Sequence, residues 1–158
     1  MNKMDEKIEK RPFPKCYPVW GWFQFINSKK QKPDLRYPTF LSKGEKGVLV
    51  EIFKEDNKVL LSDFSLWHFT LSYSYIADNE AEDDKFDLFF SKNNLQYHEK
   101  DKYTPEMKQR IELSWNKIFD MNYVAEYATD PYEKKQIQAT FWTLSTDEII
   151  KVEEFIAH

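Results

Sequence analysis

Gln136-Ile137-Gln138-Ala139-Thr140-Phe141-Trp142-Thr143-Leu144 is the stretch that decides the fold class. Ile137, Ala139, Phe141 and Thr143 alternate with Gln138, Thr140, Trp142 and Leu144, and a period of two belongs to a strand. Upstream, Thr104-Pro105 is a helix start, a capping hydroxyl followed by proline at the first helical position. Met107, Ile111, Trp115, Ile118 and Phe119 then carry an apolar stripe to about Met121. Downstream, Ser145-Thr146-Asp147-Glu148 fits a capping box, and Ile149, Val152, Phe155 and Ile156 follow at helical spacing, so a last helix is expected there. A strand and flanking helices thus share one short piece of chain.

The same signals recur towards the N-terminus. Residues 19–26, Val-Trp-Gly-Trp-Phe-Gln-Phe-Ile, have the aromatic and β-branched density of a strand, with Gly21 marking a bulge or a close backbone approach. Residues 47–53 read as another strand, with 58–61 as its hairpin partner across Glu55-Asp56-Asn57. Ser62 suits a helix N-cap and Asp63 the positive end of the helix dipole. Phe64, Trp67, His68, Leu71 and Tyr75 then share one helical face, fading near Ala77. Residues 27–46 form a long loop and residues 78–103 give no clear pattern. The expected fold is α+β, a small, largely antiparallel sheet packed with about three helices.

Composition limits the function classes. The chain has 158 residues with 23 Lys and Arg against 27 Asp and Glu, a net charge of −4. Thirteen Phe, nine Tyr and five Trp are too many large apolar groups for a disordered chain. No run reaches the roughly 18 apolar residues of a membrane span. Residues 1–16, charged and holding Pro12 and Pro14, are expected as a mobile leader, with 17–158 as one globular domain. That start lacks the apolar core of a secretory signal. With Cys16 as the only thiol, the expected compartment is the cytoplasm.

Four motifs occur in order: Tyr17-Pro18-Val19-Trp20-Gly21-Trp22, Lys32-Pro33-Asp34-Leu35-Arg36, residues 60–68 (Leu-Leu-Ser-Asp-Phe-Ser-Leu-Trp-His) and Gln138-Ala139-Thr140-Phe141-Trp142. On these the chain resembles a bacterial family known as domain of unknown function 3841, over residues 17–77 and 112–156. The resemblance implies a family label and no particular chemistry. Members of the family carry an additional stretch ahead of the Tyr-Pro-Val-Trp segment, opening with a short strand that reads like Tyr-Thr-Ile-Gln. Here 16 charged, Pro-containing residues stand in its place, which favours a binding role over inherited catalysis.

Candidate site residues follow from chemistry. Three His and one Cys, scattered, fall short of a metal ligand set, three glycines leave no phosphate loop, and no metal or cofactor is expected. Ser62, Asp63 and His68 do not converge as a triad from one helix. His68 offers either an acid–base group or a ring bonding a backbone carbonyl. In the Lys32–Arg36 loop, Pro33 stiffens the chain and Arg36 presents a planar fork for carboxylate or phosphate, which Asp34 would orient or occupy. Trp20 and Trp22 stand beside it, and Gln138 and Trp142 share one face of the strand at 136–144. Lys29 and Lys30 extend the basic patch, while Glu80, Glu82, Asp83 and Asp84 form an acidic one.

Three functions are expected in order. The first is a non-enzymatic interaction module that binds and modulates or inhibits a macromolecular protein partner. It extends to a mobile-element or phage inhibitor of a host nucleic-acid-handling defence complex, whose basic groove the acidic run would address. The second is an enzyme or receptor for a nucleotide-like anion at the Arg36 loop. The third is a single-stranded RNA binder using the lysines with Trp20 or Trp22.

Overall fold

The computed structural model describes residues 2–25, 32–96, 99–125 and 127–158; Lys29 and Lys30 lie outside the described residues. In chain order the elements are α1 (Asn2–Lys7), β1 (Val19–Gln24), β2 (Lys46–Ile52), β3 (Leu60–Asp63), α2 (Phe64–Leu71), α3 (Glu80–Lys92), α4 (Pro105–Ser114), β4 (Ile137–Phe141) and β5 (Ile149–Ile156), with short 3₁₀ turns between them. The class is α+β, with two small antiparallel sheets of order β1-β4-β3 and β2-β5. The chain divides into two compact units, residues 1–60 with 139–158 and residues 61–138. It leaves the first within β3 and returns to it within β4.

In the first unit, β2 pairs with β5 from Lys46↔Ile156 to Ile52↔Ile149, with an irregularity at Glu51/Ile52. Two expectations are corrected here. Residues 58–61 are not the partner of β2, because Asp56–Lys58 forms a 3₁₀ turn and the chain moves on into the other sheet. Residues 149–156 are not a helix. The capping box at Ser145 and Glu148 does form, but it closes a single 3₁₀ turn. Ile149, Ile150 and Val152 are β-branched and lose rotamer freedom in a helix, and β2 offers them a full ladder. Gly47 sits where a Cβ would overlap the Phe155 ring and Leu41, so those two side chains cover the ribbon at that point.

Residues 1–16 hold α1, whose Met4 is buried with Cys16 and Trp142 and flanked by Ile8 and Leu60. Trp142 Nε1–H donates to the Glu9 carbonyl at 2.8 Å, and the Arg11 guanidinium lies 5.4 Å from its ring centroid. At the far end of the ribbon, the Lys54 ammonium donates to Glu148 at 2.6 Å and to the Thr143 carbonyl at 2.7 Å. Lys54, with the Ser145 backbone N–H, holds the Glu148 carboxyl down at about 2. A depressed carboxylate adds stability above its unfolded value near 4.5, lost as pH falls through about 2. Acid titration followed by circular dichroism is therefore expected to show a loss between those values in the native chain. In Glu148→Gln that component should be missing.

In the second unit, Asp63 rather than Ser62 caps α2, its carboxylate accepting from the N–H groups of Ser65 and Leu66. The helix stops at Leu71, short of Ala77. Tyr73 adopts φ +54°, and Ser74 N–H reaches the Phe69 carbonyl at 2.8 Å, a left-handed helix stop normally filled by glycine. Tyr73 is held there by Glu112, which accepts from its hydroxyl at 2.6 Å, and by the Trp115 ring at 5.1 Å. The segment that gave no sequence pattern forms α3. Asn79 caps it, and Asn94 closes it in the same left-handed geometry. Thr104 caps α4 as its sequence indicates. The stripe beyond Ser114 then tightens into a 3₁₀ turn over Trp115–Phe119. One core gathers Tyr75, Phe86, Phe90, Tyr103, Met107 and Ile111, the other Leu66, Ile76 and Ile118.

Candidate interaction surface

β1 places side chains alternately on two faces. Trp20 and Trp22 share one, their rings edge to face at 6.1 Å, and the contact runs on from Trp22 to Phe25 at 4.8 Å and from Phe25 to Phe40 at 6.2 Å. Trp20 is 59% exposed, and on the opposite face Phe23 is 55% exposed. Tyr17, Tyr37 and Phe53 are exposed as well. The first unit thus shows water a run of rings, most fully at Trp20, and apolar area of this kind favours burial.

The neighbouring charges are already matched. Asp34 accepts from Arg36 through Nε at 2.8 Å and through a terminal nitrogen at 2.6 Å, and also takes the Arg36 backbone N–H. This fork-on-fork contact holds the Asp34 carboxyl far below the usual carboxylate range. The Arg36 carbonyl in turn accepts from His158 N–H at 3.0 Å. Lys32 pairs with Glu51 at 2.9 Å. The Arg36 loop therefore brings aromatic groups together with cations that are spoken for, rather than an open anion fork.

Other sequence candidates fall elsewhere. Trp142 is 2% exposed and belongs to the core beside α1, not to a surface. The alternation of β4 left its facing open, and the extra packing comes from residues 1–16. Gln138 is half-buried in the second unit. His68 lies there too, exposed on α2, with Nδ1 2.8 Å from the Phe64 carbonyl and its ring against Phe64 and Trp67. The acidic run forms the first turn of α3, where carboxylates complement the helix dipole. Glu82 there accepts from the Tyr75 hydroxyl and from the Asp78 N–H, both at 2.7 Å, which lowers its carboxyl. Burial pushes Asp83 up. Glu80 and Asp84 stay exposed.

Two groupings in the second unit carry no local sequence signal. One is an open cleft of about 490 Å³ on α4, where Arg110 and Lys117 flank Tyr75 beside Asp78 and Glu106. The Arg110 guanidinium lies over the Tyr75 and Phe86 rings at 5.0 and 5.2 Å. Lys117 donates to the Ile76 carbonyl and meets Asp78 at 2.7 Å. Tyr123 and Tyr127 both donate to the Ala77 carbonyl at 2.6 Å, and burial raises both phenols, Tyr127 to about 12. Arg110, Lys117 and Tyr75 are thus braced by neighbouring rings, carbonyls and carboxylates around the cleft.

The other is fully buried. Asp63 Oδ2 accepts from the Lys135 ammonium at 2.5 Å and from the Thr129 hydroxyl, and Lys135 also reaches Thr129 at 2.8 Å. Both ions are sealed from water, at 0% and 1% side-chain exposure, and Phe64 N–H bonds the Gln136 carbonyl next door. This node ties the start of α2 to the chain entering β4.

Among the described residues no group of three or more His, Cys, Asp or Glu can hold a metal ion, and no helix is long and apolar enough to cross a membrane. No curated protein sequence and no solved structure matches the chain. A family model does match, over residues 1–150, and so takes in the first 16 residues as well as the four motifs. The chain belongs to the family described as domain of unknown function (DUF3841).

Proposed function

We propose that this chain is a non-enzymatic interaction module, working in the cytoplasm, that docks a macromolecular protein partner on the aromatic surface of β1 and the Arg36 loop. The observation that carries this is the ring run Trp20–Trp22–Phe25–Phe40, open to water at Trp20. Trp and Tyr dominate the small set of residues that hold interfaces together. A protein partner is favoured over RNA or a nucleotide because Arg36 and Lys32 each already face a carboxylate. Phosphate binding needs cations in excess.

The test is affinity capture from a lysate of the encoding organism after nuclease treatment, with the native chain and with a Trp20→Ala variant side by side. A stoichiometric protein partner is expected on the native chain. The variant should bind it at least about thirtyfold more weakly, the scale of a single lost anchor of about 2 kcal/mol. Its melting temperature should stay within about 2 °C, since Trp20 is mostly exposed and not core. Capture of nucleic acid that nuclease removes, or equal capture by the variant, would contradict the proposal.

A further inference from the structure

The β2–β5 ribbon leaves aliphatic side chains bare on one of its faces. Gly47, Leu49 and Phe155 share one face, with Leu41 against Gly47, whereas Lys46, Val48, Val50, Val152, Glu154 and Ile156 share the other, as the register requires. On that outer face Val48, Val152 and Ile156 are each more than half exposed, and Ile150, at the irregularity, is 63% exposed. A two-stranded ribbon with a bare aliphatic face is marginal in water, and apolar sheet faces pack on one another about 10 Å apart.

We infer that this face is covered by the same face of a second copy, so that the chain associates as a two-fold dimer through β2 and β5. Three features select a second copy as the occupant. The face carries one cation and one anion, Lys46 and Glu154, so two copies meet without net repulsion although each chain has a charge of −4. Among the described residues neither has an ion-pair partner. Their spacing also suits a two-fold axis running along the strands. That axis lays β2 over β5 of the second copy at the same height, setting Val50 against Val152 of the other copy. Lys46 then lies one side-chain step, two residues along the strand, from Glu154 of the other copy, and the mirror pair repeats the contact. Finally, the exposed aliphatic side chains supply on the order of 450 Å², about half of the roughly 800 Å² a standard interface takes from each partner. The lysine and glutamate stems add to this. The balance describes a dimer that forms in the micromolar range and not an obligate one.

Sedimentation equilibrium of the purified full chain over a concentration series tests this. The native chain is expected to pass from monomer to dimer in the tens of micromolar. Val50→Asp should weaken the dimer by more than about tenfold, since it buries a charge against Val152 of the other copy. Lys46→Glu alone and Glu154→Lys alone should each weaken it, and the double reversal should restore it; these exposed changes keep the test valid if Val50→Asp unfolds the chain. A native chain that stays monomeric at millimolar concentration overturns the inference. So does a dimer indifferent to both single reversals. Partner capture on the β1 surface does not enter this experiment, so either proposal can fail alone.

Discussion

Replacing Lys135 by methionine is expected to lower the unfolding free energy by about 3–5 kcal/mol, the cost of stranding one member of a buried ion pair. Methionine fills nearly the same volume, so cavity formation contributes little. What remains is the Asp63 carboxylate, sealed from water, with the Thr129 hydroxyl and two helix N–H groups but no counter-ion. A protein of this size holds about 5–15 kcal/mol in all, so the variant stands near the edge of folding. Asp63→Asn should be comparably harmful because it strands the ammonium instead. The double variant Asp63→Asn, Lys135→Met should lose clearly less than the sum of the two, since no charge is left unmatched. Urea midpoints followed by circular dichroism at constant slope check this. A loss under about 1 kcal/mol for Lys135→Met would mean the pair reaches water in solution.

Trp142→Ala is expected to cost about 3–5 kcal/mol, as a large core aromatic does when it is cut back. Its ring is the surface on which Met4, Ile8 and Cys16 pack, and its N–H is a partner of the Glu9 carbonyl. Amide exchange should show α1 opening first in this variant, because α1 is six residues long and too short to persist unsupported. Trp142→Phe should lose substantially less, keeping a ring against Met4 while giving up the single bond to Glu9, worth about 1 kcal/mol. Unchanged exchange across residues 2–8 in Trp142→Ala would contradict the packing described.

Trp142 also shows why the site was only partly legible in the sequence. The alternation in β4 placed it opposite Phe141, and alternation identifies two faces without saying what covers each. Both rings turn out to be buried, at 2%, and the burial of Trp142 depends on Met4, Glu9 and Cys16 at the other end of the chain. Local signals served well where the element is set locally: the ring-rich β1, and Thr104-Pro105 opening α4. They failed where distant pairing decides. Ile149, Val152 and Ile156 satisfy a helical spacing and a strand alternation alike, and only the ladder with β2 resolves it. α3 escaped notice because just Phe86 and Phe90 of its face are buried, among five carboxylates and two lysines. Tyr73 ended α2 early through contacts with Glu112 and Trp115 some 40 residues on. Of the candidate surface, Trp20, Asp34 and Arg36 stand out by residue type. The pairing that occupies Arg36 was one of two readings of that loop, and the Lys135 node has no signature in a polar stretch.

The most direct test of the proposed interaction surface is amide exchange on the captured complex against the free chain. Slowed exchange over residues 19–25 and 33–40 is expected, because a partner seated on Trp20 and Phe40 shields that backbone. Protection confined to the first turn of α3 and the α4 cleft, with β1 unchanged, would contradict it and move the docking site to the second unit.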